Sequence, residues 1–164
     1  MSFIYFSPLG QLSINTLKTK LISLEFTANK KNKCLPSTFF ENFVKKQLDE
    51  YFCGQRQKFS APFKLFGTTF QKKVWKKIIN IPYGQTISYK QLARQLKISS
   101  SYRAVANALG KNPLPIVIPC HRIIKSDGAI GGYSGGKEIK KFLLNFEKNT
   151  QKTLIKNDTI LMTN

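Results

Sequence analysis

A chain of 164 residues holds one domain with a sizeable core, or two small domains packed together. At 41% hydrophobic residues it reads as folded rather than disordered, and no apolar run is long enough to cross a membrane. Lys and Arg total 27 against 8 acids, a formal net charge of +19, which points to a polyanionic partner. The start, Met1-Ser2-Phe3-Ile4-Tyr5-Phe6, lacks a basic flank and is cut short by Pro8 and Gly10, so it does not read as a signal peptide. Cys34, Cys53 and Cys120 are odd in number and widely spaced, as expected for reduced thiols in a cytoplasmic protein. With no C-x-x-C and a single histidine, His121, no metal site is expected.

In chain order, residues 3–6, 11–14 and 21–26 are predicted strands, and Ser7-Pro8-Leu9-Gly10 makes a hairpin of the first two. Residues 29–33 form a polar loop. Ser37 is the predicted cap of a helix with an apolar face of Phe40, Phe43, Val44, Leu48 and Tyr51, ending at Gly54. This first section contains no convincing site and reads as a scaffold. A second section begins near Gly67, where Thr68-x-x-Gln71 fits a capping box for a helix carrying Phe70, Val74, Ile78 and Ile81. Ser88-x-x-Gln91 is a second box, opening a helix with Tyr89, Leu92, Ala93 and Leu96 on one face. After a turn at 99–101, a third helix runs from Tyr102 to Leu109, closed by Gly110. Two short acid-free helices with a tight turn suggest a helix-turn-helix, although such a pair is often only a packing unit. Arg103, Ala104 and Ala106 give the third helix one cation among small side chains, which suits close approach to DNA.

Between positions 51 and 126 stand fourteen Lys or Arg and not one Asp or Glu. A lysine-rich background explains residues such as Lys30, Lys31 and Lys33, but explains the missing acids less well. Nucleic acid is the favoured partner; an anionic membrane is less so, since no basic amphipathic helix stands out.

Ile118-Pro119-Cys120-His121-Arg122-Ile123-Ile124 is the stretch with most chemistry. Val117, Ile118, Ile123 and Ile124 are predicted as two short buried extended segments, with a kink at Pro119 that sets the Cys120 thiol at a bend facing a pocket. On an extended segment His121 points away from Cys120, so a water is needed to join them. From these residues alone an activated nucleophile and a buried structural cysteine stand level. Residues 128–136 form a glycine-rich loop around Tyr133 and Ser134. A helix then carries Ile139, Phe142, Leu143 and Phe146 inward and ends near Glu147, before a polar tail at 151–164.

The run Asn112-Pro113-Leu114-Pro115-Ile116-Val117-Ile118-Pro119-Cys120-His121-Arg122, with Gly132-Tyr133-Ser134-Gly135-Gly136 and Glu147, resembles the active-site signature of the O6-alkylguanine-DNA alkyltransferases. Residues 82–93 and Arg103 also match that family, and the likeness covers nearly the whole chain, weakest over the first fifty residues. The resemblance implies an α+β fold: a small ribonuclease-H-like α/β domain at 1–65, then a mostly helical, winged helix-turn-helix-type alkyltransferase domain at 66–150. It implies transfer of an alkyl group from guanine O6 in double-stranded DNA to Cys120, once per molecule, with O4-alkylthymine as a second candidate substrate. No cofactor, membrane or obligate protein partner is implied, and the molecule is expected to act as a monomer. In this reading Glu147 and His121 draw the proton from Cys120 through a water, and Asn112 braces the turn. Tyr89 crowds the DNA backbone and hydrogen-bonds the base. Arg103 fills the gap left by the flipped nucleotide, and with Ala104, Ala106 and Arg122 it meets DNA. Pro115 and Tyr133 wall the pocket, and Ser134 with backbone near Ile123 reads the base edge. A non-catalytic DNA-lesion binder of the same architecture is the rival class, but such relatives carry tryptophan where this chain has Cys120. A regulator reading sequence through its helix pair is weaker still, because the third helix offers few base-reading side chains.

Overall fold

In the computed structural model, which describes residues 1–27, 34–98 and 102–161 (side chains as far as 154), the chain opens as an antiparallel meander. Its strands are β1 (Ser2–Ser7), β2 (Gly10–Leu17) and β3 (Lys20–Thr27). The predicted hairpin turn is present: Ser7 Oγ accepts from Leu9 N at 3.1 Å and donates to Gly10 O at 2.8 Å, while Gly10 takes φ 100°. Strand alternation puts Phe3 opposite Ile14 and Tyr5 opposite Leu12 on the buried face. The register shifts between Asn15 and Thr16, which brings Leu21 and Leu24, three apart, onto that same face. The free edge of β3 is covered by later chain: Leu21 pairs backbone groups with Pro62 and Lys64, and Leu24 N donates to Pro113 O at 2.8 Å.

Helix α1 (Phe39–Phe52) packs Phe40, Val44, Leu48 and Tyr51 inward. Its cap is Thr38 rather than the predicted Ser37. Thr38 holds the extended conformation, its hydroxyl accepts from Glu41 N, and the Glu41 carboxylate accepts from the backbone of both Ser37 and Thr38. The capping boxes at Thr68 and Ser88 are both formed and open α2 (Thr69–Ile78) and α3 (Tyr89–Gln95). Helix α4 (Tyr102–Gly110) is fastened to α2 by Trp75 Nε1 donating to Ala108 O at 2.8 Å. The loop predicted at 29–33 and the turn at 99–101 lie outside the described residues.

Two expectations fail. Val117 and Ile118 are not extended: Ile118 N donates to Leu114 O at 2.7 Å, closing a tight turn with Ile116 at φ 75°. After Pro119 the chain makes a single 3-10 turn, Cys120–Arg122, and only Ile123–Ile124 is a strand, β5, paired in parallel with β4 (Ile87–Ser88). The second failure is the tail. Helix α5 runs unbroken from Lys137 to Leu161, because no Gly or Pro interrupts it and its middle is packed. Thr150 lies against Gly54 and Gln151 against Gly84, where the chains approach closely. Glu147 therefore sits within a helix, not at its end, and Phe142 is turned outward while Leu143 is fully buried.

Candidate active site

The Cys120 turn is shaped by one amide. Asn112 Nδ2 donates to Ile118 O at 2.8 Å and to Cys120 Sγ at 3.0 Å, and its Oδ1 accepts from Leu114 N at 3.0 Å. These bonds hold Ile116 in a left-handed conformation unusual for a β-branched residue. The thiol borders a cavity of about 310 Å³ lined by Tyr89, Ala106, Leu109, Gly110, Gly132, Tyr133 and Ser134. Burial pushes the thiol up to about 11, against the Asn112 hydrogen bond and the Lys140 charge, which pull it down. At neutral pH the resting group is the thiol.

Behind it lies a carboxylate with five donors. Glu147 Oε1 accepts from Tyr51 Oη at 2.8 Å and Arg122 Nη2 at 2.9 Å, and meets His121 Nε2 at 2.8 Å. Oε2 accepts from Arg122 Nε at 2.9 Å and Gly84 N at 3.0 Å. Burial raises the Glu147 carboxyl, but His121 and Arg122 outweigh it and hold the group well below the usual carboxylate range. An ionised carboxylate only accepts, so the imidazole proton is assigned to Nε2 and Nδ1 keeps its lone pair. That Nδ1 is buried without a hydrogen-bond partner. Burial also lowers the His121 pKa, against the pull of Glu147, so the ring rests neutral and able to accept a proton. No hydrogen bond between the thiol and the imidazole is found among the described residues.

The structure thus brings Asn112, Cys120, His121 and Glu147 together and sets Tyr89, Tyr133 and Ser134 around the cavity. It moves others. Arg122, expected at the DNA surface, is buried: Glu147 takes two of its N–H groups and Ile81 O a third at 2.6 Å. Pro115 and Ile123 do not line the Cys120 cavity; Pro115 is bridged to Ile118 within the turn, and Ile123 is fully buried in β5. Two further residues belong to the site. Tyr51 reads as a core aromatic on α1 and carries no signal for its bond to Glu147. Lys140 does carry one, since it shares a helical stripe with Leu143 and Glu147, and it is fully buried.

Tyr133 links the two parts of the molecule, edge-on to His121 at 6.3 Å and to Phe26 of β3 at 5.9 Å. A side chain at Gly135 would meet the Phe26 ring at 2.7 Å, so glycine is required for the loop to rest on β3. Arg103, Ala104 and Ala106 are all exposed on α4, and Ala106 also lines the cavity. Arg103 and Ala106 border an open trough with Tyr89, Lys90, Tyr102 and Lys125, and a second depression holding Lys90, Arg94 and Lys125 continues it. Tyr89 lines both trough and cavity. Gly131, at φ 73°, lies under the Tyr89 ring, where a Cβ would stand 3.0 Å from its hydroxyl. Among the described residues no group of three His, Cys, Asp or Glu is placed to hold a metal, and no helix is long and apolar enough to span a membrane.

Family models described as "6-O-methylguanine DNA methyltransferase, ribonuclease-like domain" and "6-O-methylguanine DNA methyltransferase, DNA binding domain" match residues 3–65 and 69–149. The chain is 41% identical over 148 residues to the methylated-DNA–protein-cysteine methyltransferase of Methanosarcina barkeri, covering 87% of this chain and 94% of that one. Against the constitutive methylated-DNA–protein-cysteine methyltransferase of Bacillus subtilis it is 47% identical over 110 residues, 66% of this chain and 67% of the relative. The crystal structure of Mycobacterium tuberculosis OGT in complex with DNA aligns with a TM-score of 0.82 at 36% identity, covering 91% and 93% of the two chains.

Proposed function

Because the chain belongs to the 6-O-methylguanine DNA methyltransferase family, we propose that it repairs DNA by moving the alkyl group of O6-alkylguanine onto Cys120. The observation that carries this reading is the Cys120 thiol on a cavity whose Tyr89 wall continues into the basic trough along α4.

The target oxygen lies inside the base stack, so the damaged nucleotide is rotated out at a cost of roughly a few kcal/mol. Ala104 and Ala106 let α4 approach closely, Arg103 occupies the space the nucleotide leaves, and Tyr89 guides the base inward. Ser134 on the cavity wall reads the base edge. In the cavity Sγ forms a bond to the alkyl carbon as the carbon–O6 bond breaks, and the electron pair leaves with the guanine. The thiol proton passes through a water to His121 Nδ1, and Glu147 stabilises the imidazolium that forms. A thiol held near 11 does not ionise first at neutral pH, so proton loss accompanies attack. The thioether is stable and no group in the cavity reverses it, so each molecule acts once. O4-alkylthymine, with the same exocyclic alkyl ether, fits the same chemistry. The scaffold part at 1–65 and the alkyltransferase part at 66–150 work as one monomer in the cytoplasm on double-stranded DNA.

The test is a duplex oligonucleotide with one O6-methylguanine, followed by mass measurement of the tryptic peptide 112–122, which gains one methyl group. A peptide of unchanged mass, with the lesion intact, sinks the reading. Arg103→Ala slows transfer from the duplex by about tenfold or more, since a filler that offsets a few kcal/mol of unstacking is lost. Reaction with the free alkylated base, which needs no extrusion, keeps its rate. Equal losses on both substrates remove Arg103 from the extrusion step.

A further inference from the structure

Lys140 is a fully buried cation with no carboxylate partner among the described residues. Arg122, the other buried cation, is matched by Glu147; Lys140 is held by backbone alone. Its Nζ donates to Ile123 O at 2.5 Å and to Gly132 O at 3.2 Å, and stands 5.9 Å from the centre of the Tyr89 ring. It therefore ties the strand that leaves the Cys120 turn to the loop that carries Tyr133 and Ser134. Burying an unpaired ammonium is costly, and a salt-free packing of the same volume is open to any helix. A cation kept in such a place has use for an anion that is present only part of the time.

The groups that face it name that anion. The Tyr89 ring and Gly132, which Lys140 touches, both line the cavity onto which Cys120 opens, with Tyr133 next in the loop and His121 next to Cys120; on its own helix Glu147 is occupied by Arg122, His121, Tyr51 and Gly84. Of these, His121 rests neutral and both tyrosines keep their protons, burial raising Tyr89 and Tyr133 alike. Cys120 alone becomes negative during the reaction.

We propose that Lys140 is the counter-charge of the Cys120 thiolate, a positioning residue that lowers the cost of charge on sulfur without touching the substrate. The inference rests on the alkyl-transfer reading for its purpose, but the electrostatics are measurable without DNA. Each of the two groups carries the mark of the other: the Lys140 charge pulls the thiol down, and the thiol pulls the ammonium up, while burial pushes Lys140 down to about 8. The support is therefore present below about pH 8 and fades above it, as the ammonium gives up its proton.

The experiment labels the folded protein with iodoacetamide across pH, where Sγ bonds to carbon and iodide leaves, and quantifies peptide 112–122. Exposed Cys34 and Cys53 serve as internal controls. Lys140→Met, neutral and of similar length, slows Cys120 labelling about tenfold at pH 7, the size of roughly one pKa unit, and leaves both controls unchanged. The ratio of wild type to variant falls towards unity as pH passes 8 to 9, and single-turnover methyl transfer follows the same curve. Lys140→Gln repeats the pattern if the methionine variant melts early. A ratio that stays constant with pH in a folded variant makes Lys140 a strut and overturns the proposal, as does a ratio of one at every pH. Labelling that behaves as expected in a protein that transfers no methyl group upholds the counter-charge and rejects the proposed function instead.

Discussion

Replacing Cys120 with serine abolishes alkyl transfer, by more than about 10⁴-fold, and leaves affinity for duplex DNA unchanged. A serine hydroxyl is a far weaker acid than a thiol, and its oxygen is a poorer nucleophile towards saturated carbon. The fold has no reason to follow. Asn112 Nδ2, which now donates to Sγ at 3.0 Å, finds an acceptor in the serine oxygen, and its bond to Ile118 O still braces the turn. On α4, Arg103 borders the outer trough and does not line the cavity. Single-turnover assays with an O6-methylguanine duplex, alongside gel shifts, separate the two effects. Methyl groups found on Cys34 or Cys53 in the wild type reject Cys120 as acceptor.

Glu147→Gln damages both stability and chemistry. The neutral amide strands the Arg122 guanidinium in the interior, and breaking a buried ion pair on one side costs about 3–5 kcal/mol. It also removes the negative charge behind His121, so the ring accepts the thiol proton less readily and the pH at half-maximal transfer rises by roughly one unit. The acid limb carries its own sign. The Glu147 carboxyl is held below its unfolded value of about 4.3, so its contribution to stability is complete above that pH and is lost as pH falls below it. Wild type therefore loses stability below about pH 4 more steeply than the variant. Urea unfolding and single-turnover rates across pH measure the two effects. A folded variant with an unmoved rate midpoint reduces Glu147 to a pin for α5.

What could be read from the sequence followed the range of the interaction that decides it. The starts of α2 and α3 were legible to the residue, because Thr68 with Gln71 and Ser88 with Gln91 complete their bonds within one turn. Val117 and Ile118 misled for the opposite reason. Their β-branched side chains favour strand, but the turn is imposed by Asn112 through bonds to Leu114 and Ile118. Arg122 reads as a surface cation, because its partner lies 25 residues ahead and only the fold supplies it. The grouping of Asn112, His121 and Glu147 about Cys120 came from family likeness; no spacing in one sequence aims Glu147 at His121. Lys140 was visible as a lysine on a buried stripe, yet long basic side chains usually escape to water from such positions, and this one does not. Residues 151–161 looked like tail because they are polar, although polar residues without Gly or Pro extend a helix that is already nucleated and packed.

The donors gathered on Glu147 also fix the order in which the molecule becomes competent. The Tyr51 bond closes across 96 residues, and the His121 bond across 26. Contacts so distant along the chain form late in folding, since a long loop must close before they contribute anything. On the ribosome, at roughly 5–20 residues per second, Glu147 follows His121 by about one to five seconds. During that interval Cys120 lacks the paired imidazole and carboxylate behind it. The proposed transfer to Cys120 therefore waits until α5 has docked across both parts of the chain.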